Sequence, residues 1–222
     1  MSASDSKVWF IAIPSDISTE LTTSAAAVYG LDIETDTTHD GLDPRVSPIV
    51  AVAIAGPDES IVFGGAETNL LHELDEYLER LAPGVLVTWN GARFDLPFLA
   101  DRARLCEVDL GLRLVADSRS RTHREPLPGH AGGYLASWYN HSHLDAYAVF
   151  RADVGASLGI PCGLKPLARL LGLTPVEVDA SAIHTLSKAD VDAYVASDAE
   201  ITRELALRRW PTASRAIDQL SD

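Results

Sequence analysis

Apolar and polar positions repeat with different periods along this chain, and each period predicts an element. Residues 7–13 (Lys-Val-Trp-Phe-Ile-Ala-Ile) read as a strand, followed by a polar connector over 14–24. Residues 27–34 read as a second strand, and 35–48, rich in Thr, Asp, Gly and Pro, as a loop. Ile49 to Ala55 alternates large and small apolar residues, and Ser60 to Phe63 is another short run. Gly56-Pro57-Asp58-Glu59 between them marks a hairpin, so three sequential strands form an antiparallel meander. From Glu67 to Leu81 the helical period takes over: Leu70, Leu71, Leu74, Leu78 and Leu81 share a face, and Glu73, Asp75, Glu76 and Glu79 line the wet one. Pro83-Gly84 ends that helix. Val85 to Trp89 is a buried strand, Asn90-Gly91 a tight turn, and Phe94, Phe98 and Leu99 begin a helix running to about Cys106. Leu112 to Ala116 is a short strand. Arg119 to His141, with its prolines and glycines, is the least regular region. Ser142 to Tyr147 reads as a strand, and Leu164 to Leu171 as a helix. A long helix starts at Lys188, with Ser187 as N-cap and Asp190 completing an S-x-x-D box. This order predicts an α/β fold, a mixed sheet with helices on both faces.

A chain of 222 residues, 46% apolar and 23% charged, suits one domain with a full core. We place that domain at 27–210, after an N-terminal extension (1–26) holding the extra strand and before a tail (211–222). No apolar run approaches the roughly 20 residues that span a membrane, and Val8 to Ile13 is too short for a secretory signal. Cys106 and Cys162 lie outside any C-x-x-C pattern, as expected of reduced thiols in a cytoplasmic protein. There is no cysteine/histidine zinc pattern. The net charge of −14 argues against a nucleic-acid partner, yet it is unevenly spread. Residues 87–151 hold eight arginines against seven acids, so this stretch is +1 and the rest of the chain −15. Arg119, Arg121 and Arg124 belong either to a solvated loop or to a local grip on a phosphate backbone. Tyr134, Trp138 and Tyr139 nearby could pack on the domain or stack on bases.

Three acidic settings carry the candidate chemistry. Asp32 and Glu34, two apart on a strand, project from the same face, with Leu31 and Ile33 on the other. Adjacent carboxylates repel unless a positive charge sits between them, and a divalent metal supplies one. Asp95 stands near a helix start, where it could serve the helix N-terminus or join such a site. Asp198 falls on the apolar stripe of the last helix, four residues after Tyr194. A buried carboxylate there needs a partner, either a backbone N–H or a cation.

In order and spacing, Leu31-Asp32-Ile33-Glu34-Thr35, the stretch from Trp89-Asn90 through Phe94-Asp95, and Tyr194-Val195-Ala196-Ser197-Asp198 resemble the three motifs of the DEDDy branch of 3′–5′ exonucleases. That branch has an RNase H-like fold, and the chain looks most like the proofreading domain of family-B DNA polymerases and its stand-alone relatives. Gly163 to Gly172 resembles the helix preceding the third motif. The resemblance implies a metal-dependent 3′–5′ exonuclease acting on single-stranded DNA through two Mg²⁺ or Mn²⁺ ions. Asp32, Glu34 and Asp198 would hold the ion that activates water. Asp32 would bridge to the second ion, with Asp95 acting there directly or through water. Tyr194, protonated at neutral pH, would position the water or the phosphate. Thr35, Asn90 and Phe94 would shape the terminal-nucleotide pocket, and Arg119, Arg121 and Arg124 would contact the strand. Proofreading would require a polymerase or repair partner. The alternatives are an RNA 3′-end exonuclease of the RNase D type and a non-catalytic nucleic-acid-binding module of the same fold.

Overall fold

The computed structural model describes residues 27–118 and 126–214; the strand expected at 7–13 and Arg119, Arg121 and Arg124 lie outside the described residues. The meander forms where the pattern placed it. Strands β1 (Ala27–Thr35), β2 (Ile49–Ala55) and β3 (Ser60–Gly64) pair antiparallel in sequence order. After helix α1 (Glu67–Arg80), β4 (Gly84–Thr88) joins the other edge of β1 in parallel. Helix α2 (Asp95–Leu105) leads to β5 (Leu112–Ala116), β6 (Tyr134–Trp138) and β7 (His141–Asp145). The described strands make one mixed sheet in the order β3-β2-β1-β4-β7-β6-β5. Short helices α3 (Ala146–Phe150) and α4 (Ala156–Leu158) flank a π-helical turn at Arg151–Gly155; α5 (Leu164–Leu170) and α6 (Lys188–Arg208) complete the order.

The alternation of large and small residues in β2 builds two different faces. Val52 and Ile54 join Leu31 and Ile33 of β1 against Leu70, Leu71, Leu74 and Leu78 of α1 and Phe98 of α2. Helix α1 has no side-chain bond at its N-cap, Ala66, so burial of those leucines, each worth about 1.5–3 kcal/mol, holds it in place. On the other face, Ala51, Ala53 and Ala55 meet Val191, Tyr194, Val195 and Ala199 of α6. Alanines leave room for the helix to lie close to the sheet. The closest approach is at Gly30, where any Cβ would overlap the Ala199 carbonyl oxygen. Arg203 adds a clamp, its Nε donating to Val28 O at 2.8 Å. The N-cap expected at Ser187 is present: its Oγ accepts from Asp190 N at 3.2 Å and donates to the Asp190 carboxylate at 2.6 Å.

Three expectations need correction. Within the region read as irregular, Tyr134–Trp138 is a strand. The β5 strand supplies its ladder, from Leu112↔Trp138 to Ala116↔Tyr134, and a two-residue turn with Tyr139 at φ 50° leads into β7. Flanking glycines and prolines hide that pairing in the sequence. Its aromatics pack on the domain: Trp138 is fully buried, and its Nε1 and the Tyr139 hydroxyl both donate to Asp75, at 2.7 and 2.5 Å. Asp75, read as part of the wet face of α1, is buried as the acceptor that ties α1 to this hairpin; Gly111 N donates to it as well, at 2.9 Å. The strand expected to reach Tyr147 stops at Asp145, whose carboxylate accepts from Ala148 N and starts α3 instead.

Gly30→Ala must push α6 away from β1. The expected outcome is a loss of about 1–3 kcal/mol in chemical denaturation, the usual cost of overpacking; a neutral substitution would show that the helix is not seated there.

Candidate metal centre

The side chains of Asp32 and Glu34 leave β1 on the face where their cross-strand partners are Ala53 and Ala51. That is the α6 face, and Asp198 arrives on it from the helix. Oxygens of Asp32, Glu34 and Asp198 all lie within 4.8 Å of one another. Asp198 is buried, and its Oδ1 has no hydrogen-bond partner among the described residues. Three hard oxygen donors converging from two elements, one of them carrying a buried unsatisfied atom, suit a divalent cation such as Mg²⁺ or Mn²⁺.

Electrostatics point the same way. Burial, then the charges of Asp95, Glu34 and Asp198, hold the Asp32 carboxyl well above the ordinary carboxylate range, and Lys165 opposes them. Glu34 is pushed up to about 8 by burial and by Asp198, and Asp198 to about 6 by burial. Burial, followed by the charges of Asp198, Glu34 and Asp32, raises the Tyr194 phenol above its ordinary value, so it keeps its proton and can donate it.

Asp95 stands beside this cluster rather than in it. It is buried as the first residue of α2, and it accepts backbone N–H bonds from Ile33 and from its own amide. Burial is the main cause that raises it to about 7. Its charge is nevertheless the largest like-charge influence on Asp32.

Lys165 was not singled out by the sequence reading. Its ammonium lies 3.3 Å from Asp198 Oδ2 and 3.5 Å from the centroid of the Tyr194 ring. It also lowers the carboxyl pKa values of Asp32 and Glu34. The available signal was scarcity: the chain has only three lysines, Lys7, Lys165 and Lys188, and this one interrupts an apolar helix.

A second missed residue is Asp145. Asn90 sits at φ 70°, and its amide donates to Asp145 Oδ1 at 3.0 Å. The end of β7 therefore holds the turn that delivers Asn90, Phe94 and Asp95. Asn90 and Phe94 line a cleft of about 1390 Å³. The carboxylates are not among its walls, but Phe94 and Leu164 are, and these are the chain neighbours of Asp95 and Lys165. Thr35 is buried, its hydroxyl donating to Gly41 O at 2.7 Å, so it pins the loop after β1.

Comparison with known proteins finds similarity to family-B DNA polymerases. A family model described as "DNA polymerase family B, exonuclease domain" matches residues 55–157, which include the Asn90–Asp95 stretch but neither Asp32 and Glu34 nor Asp198. DNA polymerase 2 of Aeropyrum pernix is 31% identical over 114 residues, covering 50% of this chain and 13% of that protein. The DNA polymerase of Thermococcus litoralis is 26% identical over 198 residues, covering 81% of this chain and 11% of its own length. The chain thus spans about one eighth of the curated relatives it matches. The structure of the family B DNA polymerase from Pyrobaculum calidifontis superposes with a TM-score of 0.63 at 21% identity, covering 84% of this chain and 25% of that one. That likeness places the mixed sheet and its two helical layers in the RNase H-like fold. No described helix is long and apolar enough to cross a membrane.

The acid cluster sets a pH dependence. Carboxyls raised by folding bind protons that the unfolded chain has already released between about pH 4 and about 8. Stability therefore falls as pH rises through that window. Thermal melts of metal-free protein are expected to show Tm dropping across it, less so with saturating Mn²⁺ and more steeply in Lys165→Met, which loses the opposing charge. A flat profile, or a flatter one in Lys165→Met, would contradict the charge balance described.

Proposed function

We infer that this chain, which is similar to the exonuclease domain of family-B DNA polymerases, removes nucleotides from the 3′ end of single-stranded DNA by metal-dependent hydrolysis. The observation that carries this reading is the convergence of Asp32, Glu34 and Asp198 within 4.8 Å beside Tyr194. Residues 27–210 would form the catalytic domain.

Asp32, Glu34 and Asp198 hold the cation site, and Asp95 extends it next to Asp32. Two Mg²⁺ or Mn²⁺ ions there would supply Lewis acidity to the attacking and leaving oxygens of an in-line displacement at phosphorus. The remaining work belongs to side chains. Tyr194 keeps its hydroxyl proton and donates it to the attacking water or to a phosphate oxygen, orienting either one. Lys165 places a fixed positive charge on the side of Asp198, where the phosphate's negative charge must be tolerated. Phe94, packed at 5.3 Å on Phe98, offers a ring to the terminal base, and Asn90 offers its amide side chain. Thr35 contributes through the loop it fixes. The two free thiols support a cytoplasmic setting, and the polymerase relatives support a polymerase or repair partner.

With Mg²⁺ or Mn²⁺, the protein is expected to shorten a 5′-labelled single-stranded DNA into a ladder from its 3′ end. Asp198→Ala should lower the rate at least about a hundredfold, since even outer-shell metal contacts are worth 10–100-fold. An equal rate in the variant would remove the mechanism. Faster cleavage of a matched RNA would reassign the substrate, and binding without cleavage would make the domain a non-catalytic module.

A further inference from the structure

The cleft leading away from Phe94 and Leu164 is basic in a strongly acidic chain. Arg45, Arg93 and Arg151 line it against one acid, Asp40, while the whole chain carries −14. The three arginines are not equivalent. Arg45 is occupied: its Nε donates to both oxygens of the Asp43 carboxylate, at 2.9 and 3.1 Å, and its guanidinium bridges to Oδ2 at 2.5 Å. Arg93 is engaged within the protein, its charge lying near Asp145. Arg151 is exposed and has no hydrogen-bond or ion-pair partner among the described residues.

The position of Arg151 is also well defined. It opens the π-helical turn Arg151–Gly155, directly after α3. Turns of this kind are rare and concentrate at functional sites. The start of α3 is capped by Asp145, the same carboxylate that holds the Asn90 amide. One half-buried acid thus fixes both the Asn90 end of the cleft and the helix from which Arg151 extends. Between them lie aromatic walls: Trp89 packs on Tyr147 at 6.1 Å and on Phe150 at 5.5 Å, and Trp89 and Tyr147 line the cleft. An aromatic surface for bases with a free guanidinium beside it is the arrangement that a single-stranded polyanion requires.

We propose that Arg151 binds a backbone phosphate of the single strand upstream of the nucleotide being removed, so that the strand runs from the carboxylate cluster along the Trp89–Tyr147 wall. This rests on the exonuclease reading for the direction of the strand. It assigns the strand grip to the first residue of the π turn, separately from Arg119, Arg121 and Arg124.

The test is equilibrium binding of a fluorescently labelled single-stranded oligonucleotide by anisotropy, with EDTA present to prevent cleavage. Full-length wild type, Arg151→Gln and Arg80→Gln are compared over a range of salt concentrations. Arg80→Gln makes the same charge change on α1, on the opposite face of the sheet. For Arg151→Gln the affinity should fall about fivefold, and the slope of log affinity against log salt should shrink by about 0.7, the signature of one lost phosphate on a single strand. Arg80→Gln should match wild type. An unchanged slope in Arg151→Gln, an equal change in both variants, or no binding by wild type would each overturn the proposal. Failure of the exonuclease reading would register separately, as absent cleavage with Mn²⁺ by a protein that still binds the strand.

Discussion

The seating of α6 on β1 is the constraint on which the rest depends. Only glycine at position 30 lets the Ala199 carbonyl rest on the strand. Asp198 precedes Ala199, and Asp32 and Glu34 follow Gly30 by two and four residues, so that single contact sets the distance across the acid cluster. The alanines of β2 keep the neighbouring strand low enough for the helix to pass, and the Arg203 bond to Val28 O fixes the helix along the strand. The opposite face carries the leucines of α1 and the largest single core cluster. This division leaves the α6 face free to hold groups that would be costly in a core.

Those groups are held at an electrostatic cost, and the chain offsets it in two ways. Lys165 brings its ammonium to Asp198 and covers the Tyr194 ring, lowering the pKa values of the acids it faces. A divalent cation would complete the compensation, and Asp198 Oδ1, without a hydrogen-bond partner among the described residues, is where the need is most local. The same balance explains how a chain of net charge −14 can accept a polyanion. In the function proposed, cations would neutralise its acids at the centre, and its cleft presents arginines. The overall charge governs long-range encounter, while the local charges govern what is held.

Much of this was legible in the sequence because periodicity and chemistry agreed. The meander, α1, β4, α2, β5 and α6 follow directly from their apolar spacing, and acids on one face of a strand and on one helix stripe already raised a cation as a candidate partner. Less was legible where tertiary pairing overrode local signals. The β6 strand sits among glycines and prolines and exists because β5 pairs with it. Asp75 occupies a surface-like position in the α1 pattern, yet is buried under Trp138 and Tyr139. Lys165 and Asp145 act on groups distant in sequence, Lys165 across 33 residues to Asp198 and Asp145 across 55 to Asn90. Spacing within one element cannot reveal such partners.

The central claim is that Asp32, Glu34 and Asp198 form a divalent-cation site in which Glu34 holds a proton until the cation arrives. Calorimetric titration with Mn²⁺ near neutral pH, repeated in buffers of different ionisation enthalpy, tests it directly. Binding should release protons, because the Glu34 carboxyl, raised to about 8, must ionise to become a ligand, and Asp198→Asn should weaken it sharply. Mn²⁺ binding with no proton release, or binding undiminished in Asp198→Asn, would contradict it.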